Sequence, residues 1–345
     1  MIVSYAIVTD FSATGYILLY VGGVFREFLD DLIKDAFDPS KSHENLPPLF
    51  SESSTQLLCI NLSAKLTPQM LKHYEFCGQI IGKAVYESVL VEAQFCLPFL
   101  NQLLGKHNSL DDLKNLDPDF HKHLVSLRQM KKDEIESLGL TFEMGNFELV
   151  PDGSQIPVTK DNLIRYIHLV AHRRLNQDTS YQTRAFLNGF RDLIPAPWVR
   201  LFSARELQKI IGGDDSIKGI DVDGLNAAMQ YSGGYHPSQP IIHWFWEVIS
   251  EMSAGQQRKF LKFMTSCSRQ PLLGFQSLVP LPCIQQIRFS ETEYELLRMN
   301  GRIECRLPTS STCMNLLKLP NYPSKELLKS KLLYAIESGS GFELS

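Results

Sequence analysis

Between Leu71 and Ala93 the apolar side chains of Phe76, Ile80, Ile81, Val85 and Val89 recur at helical spacing, with Gly78 and Gly82 on the same helix. A stripe of that period buries one face, and helical glycines present no Cβ to hold a neighbour off. The spacing predicts a core helix over 71–93 with a second element packed closely on it. A buried helix needs a core around it, and 345 residues with 44% hydrophobic and 21% charged content are enough for two cores.

Local signals extend this outline. Asp117 followed by Pro118 reads as a helix cap and first helical residue. Gly145-Asn146 and Pro151-Asp152-Gly153 bracket Phe147-Glu148-Leu149-Val150 as a small hairpin. Thr159 opens a helix whose stripe runs through Leu163, Ile164, Ile167, Val170 and Ala171. Ile284 to Phe289 reads as a strand. The final helix is capped by Ser324, buries Leu328, Leu332, Ala335 and Ile336, and ends at Gly339. Gly212-Gly213-Asp214-Asp215 ends a helix and can absorb large backbone rotations, as a hinge or as an ordinary connecting turn.

Several classes of function are disfavoured. A net charge of −4 argues against nucleic acid, which needs clustered Lys and Arg. Arg173-Arg174 and Lys131-Lys132 read as solvated helix faces. The apolar first two dozen residues carry no basic residue before Arg26, and the run from Phe11 to Phe25 is too short for a bilayer helix, so neither a signal peptide nor membrane insertion is expected. Seven cysteines, with no Cys-x-x-Cys pair, fit a reducing, cytoplasmic setting. His121 with His123, and His168 with His172, lack cysteine partners, so no metal and no cofactor is expected.

One cysteine is set apart by its surroundings. Cys313 lies in Leu307-Pro308-Thr309-Ser310-Ser311-Thr312-Cys313-Met314-Asn315-Leu316-Leu317-Lys318-Leu319-Pro320-Asn321-Tyr322. Prolines punctuate both sides, Ser310 to Thr312 form a polar approach, and Met314 to Leu319 reads as a short strand, so the thiol is expected on a loop pinned by that strand. A thiolate nucleophile needs access and nearby donors, which Thr312 and local amides can supply. No histidine follows His243. His236 and His243 sit among aromatic and turn residues and read as packed structural histidines, which weakens a papain-like thiol hydrolase, since that chemistry needs a histidine base on the cysteine.

The Cys313 run resembles the active-site signature of HECT-type E3 ubiquitin ligases: Leu-Pro, small residues, Thr-Cys, Asn two further on, then Leu-Pro and Tyr. Gly22-Gly23-Val24-Phe25-Arg26-Glu27-Phe28, Leu113 to Phe120 and Ala185 to Phe190 are also similar to family segments, so the resemblance runs from about residue 22 to 345. Residues 1–20 form an atypical start, leaving the first lobe expected to lack a packing layer and to be poorly stable alone. Ser311 stands where many members carry histidine, and Thr265-Ser266-Cys267-Ser268-Arg269 replaces a commoner Thr-Gly-x-x-Arg.

The resemblance implies a bilobal α+β fold: a mainly helical N-lobe over 1–213, with a small E2-binding subdomain over about 100–180, and a mixed α/β C-lobe over 214–345. It implies that Cys313 accepts ubiquitin from a charged E2 as a thioester and passes it to substrate lysines. Thioester exchange needs little acid–base help, because the departing E2 thiol is a good leaving group. Thr312, Asn315 and the tail residue Phe342 are implied as supports. Phe120, Leu124, Leu138, Leu140, Tyr166 and Val170 are implied E2 contacts, with Gly212, Gly213 and Asp214 as the hinge. The implied partners are an E2, ubiquitin and protein substrates. The alternatives are a binding-only pseudoligase and, behind it, the thiol hydrolase.

Overall fold

The structure is a computed structural model and describes residues 29, 32–33, 35–40, 47–62, 66–288 and 306–338. The atypical start, the Gly22–Phe28 segment, Phe289, Gly339 and Phe342 lie outside the described residues. The chain divides into two compact units. One comprises Ile33–Glu87 and Ala93–Ile211. The other comprises the described residues up to Leu32, Ser88–Glu92 and the chain from Gly212 onward.

The N-terminal unit is mainly helical. β1 (Phe50–Glu52) and β2 (Leu58–Ile60) pair antiparallel, Phe50 opposite Ile60. The core helix α1 runs Pro68–Tyr86, earlier at both ends than the spacing predicts. Thr67 caps it, its Oγ1 accepting from Met70 N at 3.2 Å, with Pro68 in the first turn, so the start is set by capping chemistry ahead of the apolar stripe. Val89 lies beyond the helix, and Phe76 and Val85 are only half-buried.

The glycines do what their spacing implies. A Cβ on Gly78 would lie 1.9 Å from the Phe186 carbonyl oxygen, and one on Gly189 would lie 1.9 Å from that of Glu75. Backbone therefore touches backbone where α1 meets its partner. Around this crossing Phe37, Phe50, Phe95, Phe99 and Phe186 pack with ring centroids 5.1–6.4 Å apart, Tyr74 joining through Phe50. Such tilted and edge-on arrangements add to the area each ring buries.

After α2 (Leu97–Leu103) come α3 (Pro118–Leu127), α4 (Lys132–Ser137), β3 (Glu143–Met144), β4 (Phe147–Glu148) and α5 (Leu163–His172). Asp117 caps α3, accepting from Phe120 N at 3.0 Å, with Pro118 first, as its spelling predicts. These elements share an apolar core that includes Leu113, Ile135, Phe142 and Ile167. α5 begins at Leu163 and not at Thr159, whose N–H is held by the Asn162 side chain at 2.8 Å. Ile164, expected in its stripe, is 61% exposed. α6 (Ser180–Arg191), the partner of α1, then leads through α7 (Ala196–Val199) into α8 (Ala204–Gly212).

The C-terminal unit is mixed. α9 (Val222–Ala228), β5 (Gln230–Ser232), α10 (Pro240–Glu251) and α11 (Ala254–Thr265) precede β6 (Cys283–Ile287), β7 (Thr309–Ser311), β8 (Leu316–Pro320) and α12 (Lys325–Ser338). The sheet order is β5-β6-β8-β7, with β6 parallel to both β5 and β8, and β7 antiparallel to β8. Its core joins Ile284, Leu317 and Leu319 of the sheet to Phe245, Phe260 and the predicted α12 stripe, Leu328, Leu332, Ala335 and Ile336. Ser324 caps α12 through Leu327 N at 3.3 Å. Among the described residues, no helix is long and apolar enough to cross a membrane.

Candidate functional site

Cys313 sits at the tip of the β7–β8 hairpin. Ser311 faces Leu316 in the register, so Thr312, Cys313, Met314 and Asn315 make a four-residue loop. Thr312 to Met314 form one 3-10 turn, and Asn315 closes it at φ +48°, ψ +41°. A left-handed residue after such a turn lets the strands return in register, and asparagine tolerates that conformation better than most residues. Asn315 is 2% exposed and fully engaged: its N–H donates to Thr312 O at 3.2 Å, Nδ2 to Pro280 O at 2.8 Å, and its carbonyl accepts from Cys283 N at 3.0 Å. The loop is thereby bolted to β6 and the segment before it.

Both flanks differ from the sequence expectation. Ser310 and Ser311 belong to strand β7, with Ser310 buried opposite Leu317, so the polar approach is itself part of the sheet. Met314 stands in the turn, 46% exposed, and the strand starts at Leu316. Tyr322 Oη donates to Arg306 O at 2.6 Å, tying the chain after β8 to the chain before β7. That bond accounts for the buried tyrosine closing the motif.

Cys313 is half-buried. Cys59, Cys77, Cys96 and Cys267 are buried. Burial pushes the Cys77 and Cys267 thiols up to about 12, with Glu92 adding to the effect at Cys267. Thiols held protonated, as those of Cys77 and Cys267 are, make poor nucleophiles; of the two half-buried cysteines, Cys283 lies in strand β6 and Cys313 at the tip of the shaped loop, which makes Cys313 the chemical candidate. It lines a cleft of about 30 Å³ with Leu261, Ser266, Arg269, Leu278, Thr312 and Asn315. Small-molecule sites run to roughly 300–1,000 Å³. This one has room for about two waters, so a reaction partner must present its reacting group from outside.

Among the described residues no histidine lines that cleft. His236 and His243 are both exposed, which corrects their reading as packed residues, and His236 Nδ1 instead pairs with Ser238 Oγ at 2.9 Å. A base on the cysteine, which hydrolase chemistry requires, is not provided by either. Arg269 is the cleft residue that sequence reasoning passed over. It is distant in the chain, and no local pattern links it to Cys313.

At the expected hinge, Gly212 ends α8 and Gly213 adopts φ +82°. A Cβ on Gly213 would lie 2.8 Å from Arg269 Cβ and 2.9 Å from Gln270 O. Glycine is required there on both counts. Asp214 N donates to Gln270 O at 2.7 Å, and its carboxylate holds Ser216 N at 3.1 Å and Oγ at 2.7 Å. Asp214 is thus fastened within the C-terminal unit.

The six residues expected to contact an E2 do not share one environment. Leu124, Tyr166 and Val170 are 4%, 8% and 2% exposed and belong to the subdomain core, so they offer almost no surface. Phe120 and Leu140 are half-buried against that core, and Leu138 is 46% exposed. The exposed Ile164, expected in a buried stripe, and Phe147, expected in a hairpin, are not among the six. For Ile164 the available signal was its position one residue off the Leu163–Ile167–Val170 stripe.

A family model described as HECT-domain (ubiquitin-transferase) matches residues 31–345. E3 ubiquitin-protein ligase UPL6 of Arabidopsis thaliana is 42% identical over 94% of the chain and 31% of its own length. Ubiquitin-protein ligase E3B of Homo sapiens is 42% identical over 94% of the chain and 32% of its own. E3 ubiquitin-protein ligase HUL5 of Saccharomyces cerevisiae is 38% identical over 94% and 34%. The chain therefore spans about a third of the length of these curated relatives.

Proposed function

The chain belongs to the HECT-domain ubiquitin-transferase family, and from that premise we propose that it accepts ubiquitin on Cys313 from a charged E2 and passes it to substrate lysines. The Cys313 thiolate adds to the carbonyl carbon of the E2–ubiquitin thioester. The tetrahedral oxyanion collapses with departure of the E2 thiol. A lysine amine then attacks the new thioester, forming an isopeptide bond and returning the Cys313 thiol. Neither step needs a histidine base as strictly as hydrolysis does, because sulfur leaves readily in both.

The observation that carries the reading is the placement of a half-buried thiol at a braced hairpin tip beside a cleft of only about 30 Å³. Such a site suits an acyl group delivered on a macromolecule. In this reading Asn315 shapes the loop, Thr312, next to Cys313 in the chain, donates its hydroxyl to developing negative charge, and Phe342 of the tail positions the lobe for lysine attack. Leu138, Phe120 and Leu140 supply the E2-facing surface, while Leu124, Tyr166 and Val170 form the floor that holds it in shape. Gly212 and Gly213 are the pivot of the hinge, with Asp214 as its fixed end. An N-lobe to residue 213 and a C-lobe from 214 are the proposed halves, close to the 211/212 division of the compact units, which also assigns Ser88–Glu92 to the C-terminal one, and the free thiols fit work in the cytoplasm.

Incubating the chain with charged E2 and ubiquitin tests this. A ubiquitin adduct on the chain, released by reductant and missing in Cys313→Ala, is the expected result. An adduct that survives in Cys313→Ala overturns the assignment.

A further inference from the structure

A second pair of sulfurs lies in the N-terminal unit, apart from Cys313. Leu58 of β2 and Phe95 form a parallel bridge, closed by Leu58 N donating to Gln94 O at 2.7 Å and Cys96 N donating to Leu58 O at 2.9 Å. One residue further along both segments come Cys59 and Cys96, which ladder geometry sets side by side. Neighbouring strands run about 4.8 Å apart. That spacing falls within the roughly 4.4–6.8 Å between Cα atoms that a disulfide spans.

Cys59 Sγ donates to Leu57 O at 3.7 Å. The neighbouring Cys59 thiol lowers the Cys96 thiol, with the backbone N–H of Phe99 assisting, while the Cys96 thiol and burial raise Cys59. The pair is buried, at 7% and 2% exposed, but borders an internal space. Both cysteines line a cavity of about 230 Å³ whose walls include Ser53, Gln102, Arg174 and Thr179. Its walls also include the apolar Ile60, Phe99 and Leu116, and a cavity of that size has room for water and small solutes. Among the described residues no third metal-ligating side chain joins the pair.

We propose that Cys59 and Cys96 are a reversible dithiol–disulfide pair, a modification site whose oxidant is a peroxide entering through this cavity. The Cys96 thiolate attacks a peroxide oxygen and the O–O bond breaks. Cys96 becomes a sulfenic acid, and the released hydroxide takes up the proton that Cys96 gave, forming water. The Cys59 sulfur then attacks the Cys96 sulfur, the S–O bond breaks, and a second water leaves with the Cys59 proton. Two thiols and one hydrogen peroxide thus give one disulfide and two waters, two electrons passing from sulfur to oxygen. A thiol reductant reverses the bond by exchange.

The test uses the full chain carrying Cys313→Ala, so that the catalytic sulfur takes no part. After graded hydrogen peroxide and quenching, remaining thiols are alkylated under denaturing conditions and peptides are weighed. The expected result is that Cys59 and Cys96 lose alkylation to equal extents and appear as one linked pair of peptides, two hydrogens lighter. Dithiothreitol should restore both, and Cys59→Ser should leave a Cys96 sulfenic acid that dimedone traps. The proposal is overturned if Cys96 oxidises while Cys59 stays alkylatable, or if either links to another cysteine. It is equally overturned if both remain reduced at doses that fully oxidise free glutathione in the same time.

Discussion

Two residues held in left-handed backbone show why a substitution must be read with its contacts. Ser266 follows α11 at φ +68°, the position where helices commonly end on glycine. Asn315 is left-handed as well, at φ +48°, but its buried side chain also holds Pro280 O. An L-residue in this region costs about 1–2 kcal/mol that glycine avoids. Ser266→Gly should therefore stabilise the chain by about 1 kcal/mol in urea unfolding. Asn315→Gly should destabilise it by about 1 kcal/mol, because a buried carbonyl left without its donor costs more than the relief of φ returns. Equal signs for the two variants would refute this reading.

At the level of elements, α10 and α12 are joined by charge as well as by core. Lys325 reaches Glu247 at 2.6 Å and Glu251 at 2.8 Å, and Lys329 reaches Glu251 at 2.7 Å. Hydrogen bonds from Lys325 and then Lys329 hold the Glu251 carboxyl down to about 2, from an ordinary 4.5. A depressed folded-state value means the stabilisation is complete above the unfolded value and is lost as pH falls from about 4.5 towards 2. Glu251→Gln should flatten the acid limb of the stability–pH curve in that window and leave its shape above pH 6 unaltered. A parallel shift at all pH values would show that the lysines are not the cause. The exposure of these groups keeps the effect small and sensitive to salt.

For the whole molecule, the question is which apolar residues hold it together and which meet a partner. Leu124 is sealed in the subdomain core and Leu138 is 46% exposed. Leu124→Ala should cost about 2–5 kcal/mol, as cavity-forming changes do. Leu138→Ala should leave stability within about 0.5 kcal/mol and slow adduct formation from charged E2 several-fold, measured as initial rate against E2 concentration. Leu138→Ala transferring at the parent rate would remove this residue from the docking surface.

Features carried by neighbours in the chain were legible in the residues alone. The Asp117–Pro118 entry, the α12 stripe and the Cys313 run each state their chemistry within one or two turns, because capping, periodicity and turn preference act over a few residues. The family resemblance, resting on such local spellings, led directly to the HECT fold. Facts about facing surfaces required the folded chain. Ile164 and Leu163 are both branched apolar residues in one helix, yet one is 61% exposed and the other 2%, since burial depends on what packs opposite. The same holds for Leu124 against Leu138, for Arg269 beside Cys313, and for Cys59 beside Cys96: side chains separated in the chain become neighbours only when backbone hydrogen bonds and close packing place them in register.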